Sequence, residues 1–285
     1  MQNYIRQITI TACLALTLIL MQPSAILAGP IQARSAILLN LDTIKIIYEQ
    51  NADAKVAPAS LTKVLAMYVA FDAIKAGRAT LNDKVTISAA AASQGGSRMG
   101  LKQGEAVTLE RLLLGMAVSS GNDASVAVAE HIAGSHAAFV RAMNAKAQNL
   151  RMRNSIFENA HGLPAQKQIT TARDLLHLSR NYIMVHPQAL RYHATRSLTH
   201  RGYTSTNKNP LLNTYQGADG LKTGWITASG YNIIATARRG GTRLVAIILG
   251  ANSAQIREKE IKRLMDAGFA FCAGQSKSVA AHLGI

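Results

Sequence analysis

The chain has 285 residues, 48% of them hydrophobic, and its 31 Lys and Arg outnumber its 15 Asp and Glu. This length and apolar content exclude a disordered chain and allow one large domain or two small ones. Only Cys13 and Cys272 occur, which excludes a disulfide-rich scaffold. The formal charge of +16 favours polyanionic partners such as envelope polymers, or serves solubility alone. Zinc-finger and aromatic-rich RNA-binding signatures are missing from the sequence, so no nucleic-acid partner is expected.

The first 28 residues have the order of a secretory leader. Arg6 is followed by an apolar stretch to about Met21 and by a small-residue site that ends at Ala28. This order predicts a cleaved signal peptide over residues 1–28 and a periplasmic or other extracytoplasmic protein without a transmembrane anchor. Loss of Arg6 leaves 30 basic and 15 acidic residues, a net charge of +15. A lipid anchor on Cys13 is the alternative, but most of the apolar core follows that cysteine.

The predicted elements alternate between strands at the ends of the chain and helices in its middle. Residues 35–51 carry two short apolar runs that predict a strand hairpin, and residues 61–76 are apolar almost all round, which predicts a buried helix. Further helices are predicted from Thr108 and over 123–133, 136–150, 171–183 and 254–271, and further strands over 219–224, 229–238 and 242–250. We therefore expect an α+β fold: one antiparallel sheet from N- and C-terminal strands, flanked by helices, with an inserted all-helical subdomain.

The stretch PASLTK places Ser60 three residues before Lys63 at the start of the predicted buried helix. Side chains three apart on a helix are neighbours, so the Lys63 amine can reach the Ser60 hydroxyl and act as its base. A lysine with its usual pKa of about 10.4 is protonated at neutral pH, so burial or a second cation must lower that pKa. On this stretch alone, an N-terminal serine cap with an exposed lysine is the favoured interpretation. The same spacing recurs at Ser205 and Lys208, in a polar stretch.

Two later stretches supply further polar groups of the kind a nucleophilic site needs. Ser120 and Asn122 fall between two predicted helices, where a hydroxyl and a carboxamide can project from one loop. Lys222 and Thr223 alternate on a predicted strand, and Gly224 leaves room for a ligand backbone. Each stretch alone is more often a turn. The motifs SxxK, SxN and KTG in this order, however, match the signature of penicillin-binding proteins and class A β-lactamases.

The chain resembles the serine D-alanyl-D-alanine carboxypeptidases, the low-molecular-mass penicillin-binding proteins of peptidase family S11. The likeness covers residues from about 34 to 272 and also rests on SSGNDAS, HGLP, TARDLLHLSR, and DGLKTGW followed by ASGYN. It implies a β-lactamase/transpeptidase-like fold, a catalytic domain over 29–273 and a short tail over 274–285. It implies no metal and no cofactor. We expect neither the C-terminal β-rich domain nor the anchoring helix of well-studied relatives in this chain.

The resemblance implies a catalytic set of three residues. Ser60 would attack the carbonyl between the two terminal D-alanines of a peptidoglycan stem peptide, and the acyl-enzyme would be hydrolysed by water. Lys63 would accept the serine proton, and Ser120 would relay a proton to the leaving amine. β-Lactam antibiotics would acylate the same serine.

The resemblance also implies a set of substrate-binding residues. Asn122 would hold the substrate amide, Lys222 would lower the pKa of Lys63, and the N–H groups of Ser60 and Trp225 would bind the oxyanion. Lys208 stands where relatives often have a carboxylate-binding arginine, and Asn252 or Arg257 could complete that role. The implied binding residues are Asn122, Lys208, Lys222, Thr223, Gly224 and Trp225.

Two other hydrolases with the same motifs are alternatives. A D,D-endopeptidase that cuts peptidoglycan cross-links shares the catalytic set, so the sequence leaves it open. A β-lactamase needs an additional glutamate to activate water, and Glu130 and Glu158, the glutamates between SxN and KTG, stand in no recognisable catalytic pattern.

Overall fold

A computed structural model describes residues 29–285 of the chain. The predicted signal peptide and its cleavage site lie outside these residues. Within 29–285, no helix is both long and apolar enough to cross a membrane.

The described chain contains nine strands and ten α-helices. The strands are β1 Ser35–Asn40, β2 Lys45–Gln50, β3 Lys84–Thr86, β4 Ala106–Thr108, β5 Ser197–His200, β6 Tyr203–Thr206, β7 Ala218–Ile226, β8 Gly230–Arg239 and β9 Thr242–Ala251. The helices are α1 Thr62–Lys75, α2 Ala89–Ala92, α3 Leu109–Ala117, α4 Asn122–Ala133, α5 His136–Asn149, α6 Ala172–Val185, α7 Leu190–Ala194, α8 Leu211–Thr214, α9 Ala254–Cys272 and α10 Val279–Leu283.

Five strands form one antiparallel sheet in the order β2-β1-β9-β8-β7. The first strand of the chain pairs with the last, with Ser35 opposite Leu249, so both ends of the chain build the sheet as predicted. The predicted N-terminal hairpin is confirmed as β1 and β2, which pair from Ala36 with Gln50 to Asn40 with Lys45. Strand β7 lies at the edge of the sheet and carries the KTG motif.

The sheet is buried on both faces, which explains why its central strands are almost continuously apolar. In β1, Ile37 and Leu39 belong to one hydrophobic cluster and Ala36 and Leu38 to the other. Helices α9 and α10 cover the second cluster, and the buried helix α1, with eleven of its fourteen residues buried, is part of the first. Edge strand β7 contacts the short turn that precedes α1.

The region between β2 and β7 contains five of the six predicted helices, observed as α1, α3, α4, α5 and α6, and two short ribbons that were not predicted. Strands β3 and β4 form one ribbon, and β5 and β6 form the other. The inserted region is therefore not purely helical. Strands of three or four residues are too short to show the alternation by which a strand is identified in sequence. The β5–β6 ribbon leads directly into the segment that carries Lys208.

Helix starts follow the capping pattern expected from the sequence. The Thr108 hydroxyl accepts from Arg111 N–H at the start of α3, and the Thr171 hydroxyl accepts from Asp174 N–H at the start of α6.

The C-terminal helix α10 packs against the sheet domain, because its Val279 and Leu283 are fully buried. The final residues therefore pack onto the domain.

Candidate active site

Ser60 lies in a single 3₁₀ turn, Ala59–Leu61, and α1 begins just after it at Thr62. Leu61 occupies the cap position of α1, and no side chain caps that helix. The Ser60 hydroxyl is therefore not a helix cap. Ala59 has a φ of 48°, a left-handed conformation that is costly for a residue with a Cβ and that clusters at functional sites. The segments that contain Gly162 and Gly224 pack against this turn.

Two glycines allow neighbouring segments to approach the Ser60 turn closely. A Cβ added to Gly162, in HGLP, would overlap the Ala59 carbonyl oxygen. A Cβ added to Gly224 would lie 3.1 Å from the Ser60 backbone nitrogen. The missing side chain of Gly224 thus faces the protein's own backbone, and strand β7 lies directly against the Ser60 amide.

Lys63 is completely buried and has three close polar neighbours. Its Nζ lies 3.1 Å from Ser60 Oγ and donates to Asn122 Oδ1 and to the His161 carbonyl oxygen, each at 2.7 Å. A neutral amine has two N–H bonds and one lone pair. The two shorter contacts use both N–H bonds, so the lone pair is left for the Ser60 hydroxyl.

The electrostatics of the site favour a neutral Lys63. Burial lowers the pKa of Lys63 well below its usual value, and the cations of Lys222 and Lys208 lower it further, against a smaller opposing effect of Asp123. Burial, together with the Lys208 and Arg257 cations, also lowers the pKa of Lys222 to about 7. Because its pKa is lowered, Lys63 loses its proton more readily and can serve as a proton acceptor.

The Ser120–Asn122 segment lies opposite the Ser60 turn. Ser120 is buried with a φ of 58°, and Asn122 is the first residue of α4. Asn122 Nδ2 donates to the Gly95 carbonyl oxygen at 2.7 Å, which orients its Oδ1 toward Lys63. The SxxK and SxN motifs therefore meet at the Lys63 amine.

A cavity of about 290 Å³ opens above Ser60. Its lining joins all three motifs and consists of Ser60, Ser97, Ser120, Lys208, Thr223, Gly224, Trp225, Tyr231 and Arg257. Lys208 Nζ donates to Ser97 Oγ at 2.7 Å. The Arg257 side chain is buried, and its Nε has no hydrogen-bond partner among residues 29–285. Lys222 lies beneath the lining and donates to the Thr223 carbonyl oxygen at 3.0 Å.

Several polar residues considered from the sequence lie outside this lining. Ser205 is in β6, and Asn252 is exposed beyond the end of β9. Glu130 accepts from the Ser88 hydroxyl, and Glu158 accepts from Lys167 N–H, so both carboxylates are engaged elsewhere. Neither glutamate is placed to activate water above Ser60.

His161 contributes through its backbone, which no side-chain pattern could have predicted. Its ring stacks on His136 with centroids 5.9 Å apart, and its Nδ1 accepts from Leu163 N–H. Burial, followed by the Lys63 and His136 charges, lowers the pKa of His161 to about 3, so the ring is neutral. The ring fixes the HGLP segment whose carbonyl oxygen binds Lys63.

Asp123 is a second residue whose role the sequence did not predict, although the acid directly after Asn122 in SGNDAS was a signal for it. Its fully buried carboxylate accepts the N–H groups of Met99, Gly100, Leu101 and Ala124. This fastens the loop that carries Ser97 to the start of α4.

Asp123→Asn is expected to destabilise the protein by about 3 kcal/mol, because the amide would direct N–H groups at backbone donors inside the core. Urea unfolding measures the loss. Asp266→Asn is the matched control: that carboxylate is exposed and pairs with Arg239 at 3.1 Å, so its loss should cost under about 1 kcal/mol. Equal losses in the two variants would contradict the anchoring role of Asp123.

Comparisons with known proteins agree with this geometry. The family model for D-alanyl-D-alanine carboxypeptidases, Peptidase_S11, matches residues 21–253. D-alanyl-D-alanine carboxypeptidase DacC of Escherichia coli is 38% identical over 251 residues, 86% of this chain and 63% of the relative. DacF of Bacillus subtilis is 35% identical over 243 residues, 84% of this chain and 62% of the relative. The chain thus spans less than two thirds of these relatives' length.

Solved structures of similar proteins have the same fold. Penicillin binding protein 6B from Escherichia coli is 39% identical with a TM-score of 0.80, covering 86% of this chain and 79% of that one. Penicillin-binding protein D2 from Listeria monocytogenes, in an ampicillin-bound form, is 30% identical with a TM-score of 0.77, covering 84% and 98%. The chain belongs to the Peptidase_S11 family of D-alanyl-D-alanine carboxypeptidases.

Proposed function

We propose that this protein is a serine D,D-carboxypeptidase that removes the terminal D-alanine from peptidoglycan stem pentapeptides through an acyl-enzyme. The observation that carries the proposal is the 3.1 Å contact between Ser60 Oγ and a buried Lys63 whose two other close neighbours are acceptors. Family membership and the convergence of three motifs on one cavity support it. The Listeria relative with bound ampicillin supports the further proposal that β-lactams acylate Ser60.

The proposed acylation moves one proton and exchanges one bond. Lys63 takes the hydroxyl proton as Ser60 Oγ forms a bond to the carbonyl carbon of the penultimate D-alanine. The backbone N–H groups of Ser60 and Trp225 stabilise the oxyanion. Ser120 donates its hydroxyl proton to the leaving nitrogen as the C–N bond breaks and takes up a proton from the Lys63 ammonium, so the terminal D-alanine departs and Lys63 is neutral again. Water, with Lys63 again as base, then hydrolyses the ester and restores the Ser60 hydroxyl.

The proposed carboxylate site is formed by three polar residues of the cavity lining. These residues are Thr223, Lys208 and Arg257. Arg257 is the stronger candidate partner because its side chain is buried and its Nε lacks a partner within the described chain. Lys208 gives a point charge where an arginine would give two parallel hydrogen bonds.

Lys208→Ala is expected to raise KM about tenfold with a small change in kcat, because it removes one charge-assisted contact to the substrate carboxylate. Lys208→Arg should lower KM relative to the wild type, since a guanidinium binds a carboxylate in a bidentate manner. Steady-state kinetics with a D-Ala-D-Ala peptide measure both. Lys259→Ala, an exposed lysine of α9 outside the cavity lining, is the control, and an equal KM change there would contradict a local role for Lys208.

The pH profile of kcat/KM is expected to be bell-shaped, because the active form of the Lys63–Lys222 pair holds one proton. Below the acid limb Lys63 is also protonated and cannot accept from Ser60. As pH rises through about 7, Lys222 of the free enzyme loses its charge and with it the attraction for the substrate carboxylate. Lys222→Arg should move the alkaline limb upward, since a guanidinium stays protonated. An alkaline limb unchanged by Lys222→Arg would exclude Lys222 as its source.

One experiment tests the proposed function directly. The protein is incubated with a penicillin and digested, and the modified peptide is identified by mass; the adduct is expected on Ser60. D-Alanine release from a D-Ala-D-Ala pentapeptide, compared with cleavage of a cross-linked dimer, then separates carboxypeptidase from endopeptidase. An adduct elsewhere, or no adduct, would overturn the mechanism, and rapid turnover of the penicillin would point to a β-lactamase.

We also propose where the enzyme acts. The leader-like residues 1–28 and the proposed stem-peptide substrate both support a reaction outside the cytoplasm, and a mature charge of +15 would hold the protein near anionic envelope polymers. N-terminal sequencing of the exported protein tests the cleavage, which is expected to leave Gly29 first. Retention on an anionic polymer should fall as salt is raised.

A further inference from the structure

Trp225 is a large aromatic residue that lines the same cavity as Ser60. It lines the cavity, yet 54% of its surface is exposed. It lies two residues after Thr223 on β7, and alternate residues of a strand share a face. Its indole therefore lies on the same side of β7 as the proposed carboxylate site.

Tyr231 extends this apolar surface toward Arg257. It lies opposite Trp225 on β8, and the two rings are 5.8 Å apart at 40°. The Arg257 guanidinium carbon lies 6.0 Å from the centre of the Tyr231 ring. Trp225, Tyr231 and Arg257 therefore form one continuous wall that changes from aromatic to cationic. Ser97 and Lys208, which are hydrogen-bonded to each other, supply polar groups to the same lining.

The position of this wall determines which part of a substrate it can contact. The carboxylate of a C-terminal residue is bonded to the same carbon as its side chain. A carboxylate held by Arg257 and Thr223 therefore brings that side chain to the border of the aromatic pair. A methyl group is too small to cover both rings, whereas a longer apolar or aromatic side chain would cover much of the exposed indole.

We propose that Trp225 and Tyr231 form an apolar subsite for the side chain of the leaving residue. The site thereby also releases C-terminal D-amino acids with extended apolar or aromatic side chains, such as D-methionine and D-phenylalanine, from peptides ending in D-Ala-D-Xaa. This inference rests on the proposed function and uses the same chemistry. Ser60 forms the ester with the penultimate D-alanine, the C–N bond breaks, and D-Xaa leaves with the proton on its nitrogen.

The test compares substrates that differ only in their last residue. Diacetyl-L-lysyl-D-alanyl peptides ending in D-alanine, D-methionine or D-phenylalanine are incubated with the wild-type protein and with Trp225→Ala, and kcat/KM is measured for release of the last residue. Trp225→Ala is expected to lower the ratio of D-phenylalanine release to D-alanine release about tenfold. Trp225→Phe, which keeps an aromatic ring, should restore most of the ratio. Tyr203→Ala removes a 69% exposed tyrosine outside the cavity lining and should leave the ratio unchanged.

The ratio of D-phenylalanine release to D-alanine release reports on the subsite, whereas D-alanine release by the wild type reports on the proposed function. D-Alanine release by the wild type, with a ratio unchanged in Trp225→Ala, would overturn the subsite and leave the proposed function intact. A higher ratio in Trp225→Ala would also overturn it, because the indole would then exclude large residues. No release of any residue by the wild type would overturn both the subsite and the carboxypeptidase proposal.

Discussion

Ser60→Ala is expected to lower D-alanine release by at least about 10⁴-fold and to abolish covalent labelling by penicillin, because among residues 29–285 the Ser60 hydroxyl is the one hydroxyl hydrogen-bonded to the Lys63 amine. The fold should survive, since the hydroxyl caps no helix and its contact with Lys63 is the longest of the three that Lys63 makes. Intact-protein mass after penicillin treatment, and D-alanine release at matched concentration, measure the effect.

The chain supplies its own control in Ser205, which stands three residues before Lys208 as Ser60 stands before Lys63. Ser205 lies in β6, where it pairs with Leu198, and outside the cavity lining. Ser205→Ala should therefore retain labelling and activity. Loss of labelling in Ser205→Ala with labelling retained in Ser60→Ala would reverse the assignment of the nucleophile.

The architecture could be predicted from the sequence wherever an element was long enough to show its period. The hairpin at residues 35–51, the buried helix and the C-terminal strands were predicted within a few residues of their observed bounds. The two short ribbons were not, because three or four residues carry too little periodicity. The sequence predicted one antiparallel sheet from strands at both ends of the chain, but not that β1 pairs with β9.

The site could be predicted only where it is built from side chains in a recognisable order. The SxxK, SxN and KTG motifs named four of the nine residues that line the cavity, which are Ser60, Ser120, Thr223 and Gly224. The carbonyl oxygen of His161 and the loop anchored by Asp123 act through backbone groups, which any residue type possesses. Arg257 was only one of several candidates, because a distance of 35 residues from Lys222 does not reveal that α9 returns to the cavity.

The 3₁₀ turn shows why local spacing alone did not decide the role of Ser60. An i,i+3 pair on a regular helix predicts proximity of the two side chains but equally predicts a capping serine. In the structure the left-handed Ala59 and the tightly packed Gly162 turn Ser60 away from the capping position and toward the cavity. Tertiary contacts, invisible in the hexapeptide, therefore separate the two alternatives.

Lys63→Arg is expected to lower the rate of acylation by penicillin about 10³-fold, because a guanidinium remains protonated and cannot accept the Ser60 proton. The same variant forces a permanent charge into a completely buried position, so part of the loss could come from a disturbed fold. Lys63→Met separates these effects, because methionine is similar in length, is neutral and also lacks a proton acceptor. Stopped-flow acylation rates and urea unfolding, measured on both variants, give the two quantities.

The comparison between Lys63→Met and Lys222→Arg identifies what the buried amine does. Lys63→Met should retain cooperative unfolding and lose acylation as severely as Lys63→Arg, because both lack the lone pair that faces Ser60 Oγ at 3.1 Å. Lys222→Arg keeps Lys63 and a cation beside it, so its acylation should fall far less. If Lys63→Met were acylated at a rate near that of the wild type, Lys63 would be a structural residue, and the proton of Ser60 would have to leave by way of Ser120.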